Sequence, residues 1–207
     1  QLAVQAAGET GAAVFADLGP APDTEAVPAG QVYTAVAKQF AALGARNFLF
    51  ETLSSDAGLL DAVGAIKAEV PDAFVLVSFA VLPDGYTRGM YCKDLARRMQ
   101  ESGIVDAVGL NCVSAPGAMR TLAKQLGGTL PLSVMPNAGY PIVTRTQVKY
   151  QAGRNTLQGS WAVWPPRARF RSWAAAAAPP PPHCRPAGGA GQLPWWKKRF
   201  RQKSFPP

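Results

Sequence analysis

The chain has 207 residues, 48% of them apolar, and a formal net charge of +8. That is enough apolar sequence for a core, and no run of 18 or more apolar residues offers a membrane span. No charged segment followed by an apolar one opens the chain, so no leader peptide is read; three cysteines (Cys92, Cys112, Cys184) cannot all pair, which points to a reducing, cytoplasmic setting.

The first residues read as the end of a helix, so the natural start of the domain is expected upstream. Short apolar or β-branched runs then follow at 13–16, 48–50, 74–79, 105–110 and 132–135. Between them apolar residues recur at helical spacing: Val32, Val36, Phe40 and Leu43; Leu59, Leu60, Val63 and Ile66; Leu95 and Met99. Gly44 and Gly103 stand where helix C-caps belong, and Pro71 stands just past a helix end. Strands about 25–35 residues apart with helices between them predict βα units of a parallel sheet. Five units are visible, so the expected fold is α/β, an incomplete (β/α)8 TIM barrel.

Beyond Tyr150 the sequence changes type. Residues 1–150 carry 11 basic and all 13 acidic residues, a net of −2; residues 151–207 carry 10 basic residues and no acid, a net of +10. All five tryptophans and 10 of the 19 prolines also lie in the second stretch. Such a segment cannot assemble an ordinary core, and a largely disordered tail is expected over 151–207.

Polar residues stand at the end of each predicted strand: Asp17, Glu51, Ser78, Asn111 with Cys112, and Asn137. Parallel α/β folds build their sites at the carboxyl ends of strands, so these side chains are expected around one mouth. By type and place, Cys112 is a candidate nucleophile or metal ligand.

Four segments together resemble one family. Phe48-Leu49-Phe50-Glu51-Thr52, Pro83-Asp84-Gly85-Tyr86-Thr87, Gly109-Leu110-Asn111-Cys112 and Val134-Met135-Pro136-Asn137-Ala138-Gly139-Tyr140-Pro141 occur in the order found in homocysteine S-methyltransferases. The last, with Arg145-Thr146 after it, is most similar to the N-terminal homocysteine-binding domain of the bifunctional homocysteine S-methyltransferase/methylenetetrahydrofolate reductase. The resemblance runs over about residues 9–150. It implies an enzyme that transfers a methyl group to homocysteine, giving methionine, with a folate derivative, betaine or S-methylmethionine as donor. It further implies Zn²⁺ on three cysteine thiolates, where the metal depresses the pKa of the substrate thiol. Cys112 matches the first zinc ligand. Glu51 matches a strand-end glutamate expected to bind the homocysteine ammonium, with Asn111 and Asn137 as further pocket residues. No residue of this chain is assigned a catalytic step of its own.

The family's other two ligands come from a Gly-Gly-Cys-Cys-Gly-Thr-Thr-Pro motif that this chain lacks. Read one nucleotide earlier, Trp173 followed by an alanine codon gives glycine. Each further alanine then gives Gly, Cys, Ser or Arg, and each proline gives Thr, Pro, Ala or Ser. Ala174–Pro181 can therefore encode that motif in the neighbouring frame, with cysteines beneath Ala176 and Ala177. The same shift lets Arg154–Gln158 encode Pro-Glu-Tyr-Phe-Ala, which the family carries after its Arg-Thr element.

The tail is accordingly read as an out-of-frame translation. His183 and Cys184 would be accidental there, and the chain as written is expected neither to hold zinc tightly nor to turn over. Two other readings stand beside this one: a metal-free barrel enzyme with Cys112 as nucleophile, and a nucleic-acid-binding protein using the basic, aromatic tail.

Overall fold

The computed structural model describes residues 2–10, 12–137, 141–143, 145, 147–150 and 170–172. Helix α1 (Leu2–Thr10) stands outside the unit that holds residues 15–178. Within that unit the order is β1 (Ala16–Leu18), α2 (Ala29–Ala42), β2 (Asn47–Leu53), α3 (Leu59–Glu69), β3 (Phe74–Phe79), β4 (Tyr86–Thr87), β5 (Met90–Tyr91), α4 (Cys92–Glu101), β6 (Ala107–Asn111), α5 (Pro116–Leu126), β7 (Leu132–Met135), β8 (Pro141–Val143), β9 (Val148–Tyr150) and β10 (Phe170–Ser172). Six strands form one parallel sheet in the order β1-β2-β3-β6-β7-β10, and β4-β5 and β8-β9 are antiparallel hairpins.

The five predicted strands are all present, with shifted ends. The first is Ala16–Leu18 rather than 13–16, which places Asp17 within the strand. The sixth, β10, comes from the stretch expected to be disordered and pairs alongside β7. The rest of that stretch, His183 and Cys184 included, lies outside the described residues.

Strand residues alternate between two faces, as the pleat requires. One face carries Phe48, Phe50, Val75, Val77, Phe79, Val108, Leu110 and Val134, which cluster with side chains of α2 to α5. Each such Phe or Leu contributes about 1.5–3 kcal/mol by leaving water. Of the predicted positions on α3 and α4, Leu59, Val63, Ile66, Leu95 and Met99 are buried, and Leu60 packs half-buried against the same core.

Helix α2 differs from expectation. Its buried residues are Ala29, Tyr33, Ala37 and Ala41, while Val36 is exposed and Leu43 is 84% exposed. The cause is close packing. A Cβ on Gly30 would come within 2.9 Å of the Gly58 carbonyl before α3, so α2 buries alanines and the Tyr33 ring, while the expected Phe40 packs half-buried against the same core. Tyr33 stacks edge-on against Phe50 at 5.4 Å. Just past this helix Gly44 takes φ 90°, and the Gly44 and Ala45 amides donate to the Ala41 and Phe40 carbonyls, the capping expected there.

At the amino ends of the strands, Lys67 donates to Asp106 and to the Ala73 carbonyl, both at 2.6 Å. Asp106 also accepts from the Val75 amide. This ties α3 to β3 and β6 on the side of the sheet away from the site.

Candidate functional site

The face opposite the helices carries the polar residues. Asp17 pairs level with Leu49, and Leu49 with Leu76 and Ala107. One pleat further come Glu51, Ser78, Gly109 and Ser133, and after these Asn111 and Met135. Glu51, Ser78 and Asn111 therefore share one face toward the carboxyl end of the sheet. Asp17 lies on that face one pleat below Glu51, level with the first residue of β6, and Cys112 and Asn137 follow just past β6 and β7.

Asn111 is the hub. It is fully buried, its Oδ1 accepts from the Thr52 amide (3.0 Å) and the Ser78 hydroxyl (2.9 Å), and its Nδ2 donates to Thr52 Oγ1 (2.8 Å) and Cys112 Sγ (3.4 Å). Both acceptor positions and both hydrogens of the amide are thus used. Asn111 lies beneath the site and fastens β2, β3 and β6 together, so it has no polar group left to offer a ligand.

Cys112 is half-buried just past β6, with φ 54°, and its amide donates to the Met135 carbonyl at 3.0 Å. Thr52 Oγ1 stands 3.6 Å from its sulfur. Thr52, Cys112 and Val113 all have positive φ, a conformation that non-glycine residues adopt at a cost and that collects at functional sites. The loop after Cys112 is pinned by Ser114: its amide donates to the Cys112 carbonyl, its hydroxyl to the Val81 carbonyl (2.8 Å), and its carbonyl accepts from the Asn137 amide (3.3 Å). Half-buried Asn137 is thereby held near the end of β7, beside the Cys112 loop.

Glu51 is half-buried, and burial followed by the negative charge of Asp17 pushes its carboxyl above the usual range. Burial raises Asp17 as well. Among the described residues no basic side chain forms an ion pair with either. A half-buried carboxylate with an exposed one near it on the same face suits a positively charged ligand.

The thiols divide by place. Cys92 is fully buried in α4, where burial pushes its thiol up, so it packs as a small apolar residue. The zinc implied by the resemblance requires three protein thiolates, yet Cys112 has a hydroxyl and an amide as neighbours. Among the described residues no three His, Cys, Asp or Glu side chains come together as a metal site, so these residues do not fit that centre. Also among them, no helix is long and apolar enough to cross a membrane.

Sequence reasoning missed the part played by Thr52. The available signal was the spacing of Phe50 and Leu53: both are core residues on the helix side, three positions apart where strict alternation requires an even number.

The family model of homocysteine S-methyltransferases matches residues 1–177. No curated protein matches the chain in sequence. Among solved structures, the apo form of the homocysteine methyltransferase MmuM from Escherichia coli is 20% identical, with a TM-score of 0.58 over 85% of this chain and 65% of that one. A thermostable mutant of the xylanase Xyn10A from Cellvibrio japonicus is 14% identical, with a TM-score of 0.54 over 84% of this chain and 70% of that one. A xylanase A catalytic core is 13% identical, with the same TM-score and coverage. These are TIM-barrel proteins, and at such identities the likeness is one of fold. The chain spans about two thirds of the length of these structures.

Proposed function

The chain belongs to the homocysteine S-methyltransferase family, and we propose that the polar strand ends of its sheet form a homocysteine pocket. The observation that carries this reading is the meeting of Thr52, Asn111 and Cys112 at the carboxyl ends of β2 and β6, with Glu51 next to Thr52 in β2. Glu51 takes the substrate ammonium through a charge-assisted hydrogen bond, and its raised carboxyl regains by that pairing what burial withholds. Cys112 marks the sulfur end, Asn137 lines the rim, and Asn111 holds the floor. The reaction is transfer of a methyl group to the homocysteine sulfur to give methionine, with a folate derivative, betaine or S-methylmethionine as donor, in a cytoplasmic setting.

As written, the chain binds without turning over. A single thiolate is a poor zinc site, and two further ligands are needed to hold the metal. We place those ligands in the neighbouring reading frame beneath Ala176 and Ala177, with the frame lost between Tyr150 and Arg154. The break in charge at that point and the lack of any acid after it support this. The partial barrel domain is accordingly residues 1–150, followed by the out-of-frame stretch 151–207.

The test compares the 207-residue chain with a version restored to the other frame after Tyr150, by zinc content and methionine formation. The restored protein is expected to hold one zinc and form methionine, and the original to do neither. Stoichiometric zinc or methionine formation in the original would refute this, as would gene sequencing that supports the present frame through codons 150–180.

A further inference from the structure

The register of β2 slips between Phe50, which pairs with Val77, and Leu53, which pairs with Phe79. Phe50 and Leu53 are both buried against the helices, so the two residues between them occupy a single step of the pleat. This is a bulge, which inserts one residue and re-aims a side chain. Here it brings Thr52 onto the inner face beside Glu51. Thr52 takes φ 59°, held by its amide bond to Asn111 Oδ1.

Thr52 Oγ1 accepts from Asn111 Nδ2 at 2.8 Å, so its own hydrogen remains to be donated. Cys112 Sγ, 3.6 Å away, is the acceptor within reach, and Asn111 Nδ2 approaches the same sulfur at 3.4 Å. The Thr52 hydroxyl from β2 and the Asn111 amide from β6 thus hold the sulfur from two sides.

We infer that Thr52 is a positioning residue for the sulfur end of the pocket, an inference that rests on the homocysteine reading above. One bulge then sets both ends of the ligand: Glu51 receives the ammonium, and the Thr52 hydroxyl holds the sulfur of Cys112 where the substrate sulfur docks.

The experiment is calorimetric titration of the 207-residue chain with L-homocysteine and with L-2-aminobutyrate, which has the same amino-acid head without the sulfur. Thr52→Val is expected to weaken homocysteine binding about fivefold, the size of one lost neutral hydrogen bond. Its affinity for 2-aminobutyrate should stay within about twofold. Thr52→Ser keeps the hydroxyl and should bind both ligands like the parent, whereas Glu51→Gln should weaken both.

If Thr52→Val leaves homocysteine binding unchanged, or weakens both ligands alike, Thr52 has no role at the sulfur, and the pocket reading survives through Glu51→Gln. If the parent chain takes up neither ligand, the pocket reading fails and this inference with it. Should the valine variant not fold, Thr52→Ala against Thr52→Ser makes the same contrast.

Discussion

On the helix side of the sheet, Phe48, Phe50, Val75, Val77, Val108 and Leu110 follow one another at regular spacing, all buried among other apolar side chains. On the inner side, the same strands carry Glu51, Ser78 and Asn111, with Asp17 on β1 and Ser133 on β7 beside them. At the strand ends the backbone departs from regularity with a bulge and left-handed residues at Thr52 and Cys112. The first face is built for stability. The second places polar groups, two of them carboxylates, where stability alone would favour apolar ones.

Substitutions on the two faces should therefore differ in size and in kind. Phe50→Ala empties a fully buried ring site on the helix side and should cost about 3–5 kcal/mol, read by denaturant unfolding. Asn111→Ala should cost roughly 2–4 kcal/mol by stranding the Thr52 amide and the Ser78 hydroxyl. It should also weaken ligand binding, because Thr52 and Cys112 lose their common anchor. A cost as small as that of a surface change would show that Asn111 is no hub.

Glu51→Gln should act in opposite directions on stability and binding. A carboxyl raised in the folded state binds its proton more tightly there than in the unfolded chain. Stability is then lost as pH climbs from the ordinary glutamate range through the raised value. The glutamine variant should lack that loss, so its melting temperature at neutral pH should equal or exceed the parent's. Ligand ammonium needs the ionised form, so homocysteine affinity should fall on acidification through the raised value. Asp17→Asn should move that fall to lower pH by removing the neighbouring charge. An unchanged midpoint would separate the two carboxylates.

Ser133→Ala should have the smallest effect, within about 0.5 kcal/mol or slightly stabilising, since its buried hydroxyl has no partner among the described residues. A large loss would mean that the inner face is as tightly satisfied as the outer one.

The alternation of strands and helices was legible in the sequence because each βα unit combines a short apolar run with a 3.6-residue period. That alternation also located Glu51, Asn111 and Cys112, since a parallel sheet gathers its strand ends. Helix α2 was misjudged because Val36 and Leu43 satisfy a helical period without facing the core. The contact near Gly30 and Gly58 favours alanines instead, and periodicity is blind to such spacing. The bulge at Glu51 and Thr52 shows in the sequence only as the odd spacing of Phe50 and Leu53, and which residues it re-aims is settled by the pairing of β2 with β3. The role of Asn111 likewise emerged only when three strands brought Thr52, Ser78 and Cys112 around its amide.

On the homocysteine reading the polar strand ends bind an amino acid that carries a thiol, which titration of L-homocysteine into the 207-residue chain and its Glu51→Gln variant at neutral pH checks without requiring turnover. The prediction is saturable binding of one equivalent, weakened at least severalfold in the variant, as expected for a lost hydrogen bond to a charged group. No binding by the parent, or equal binding by both, would contradict it.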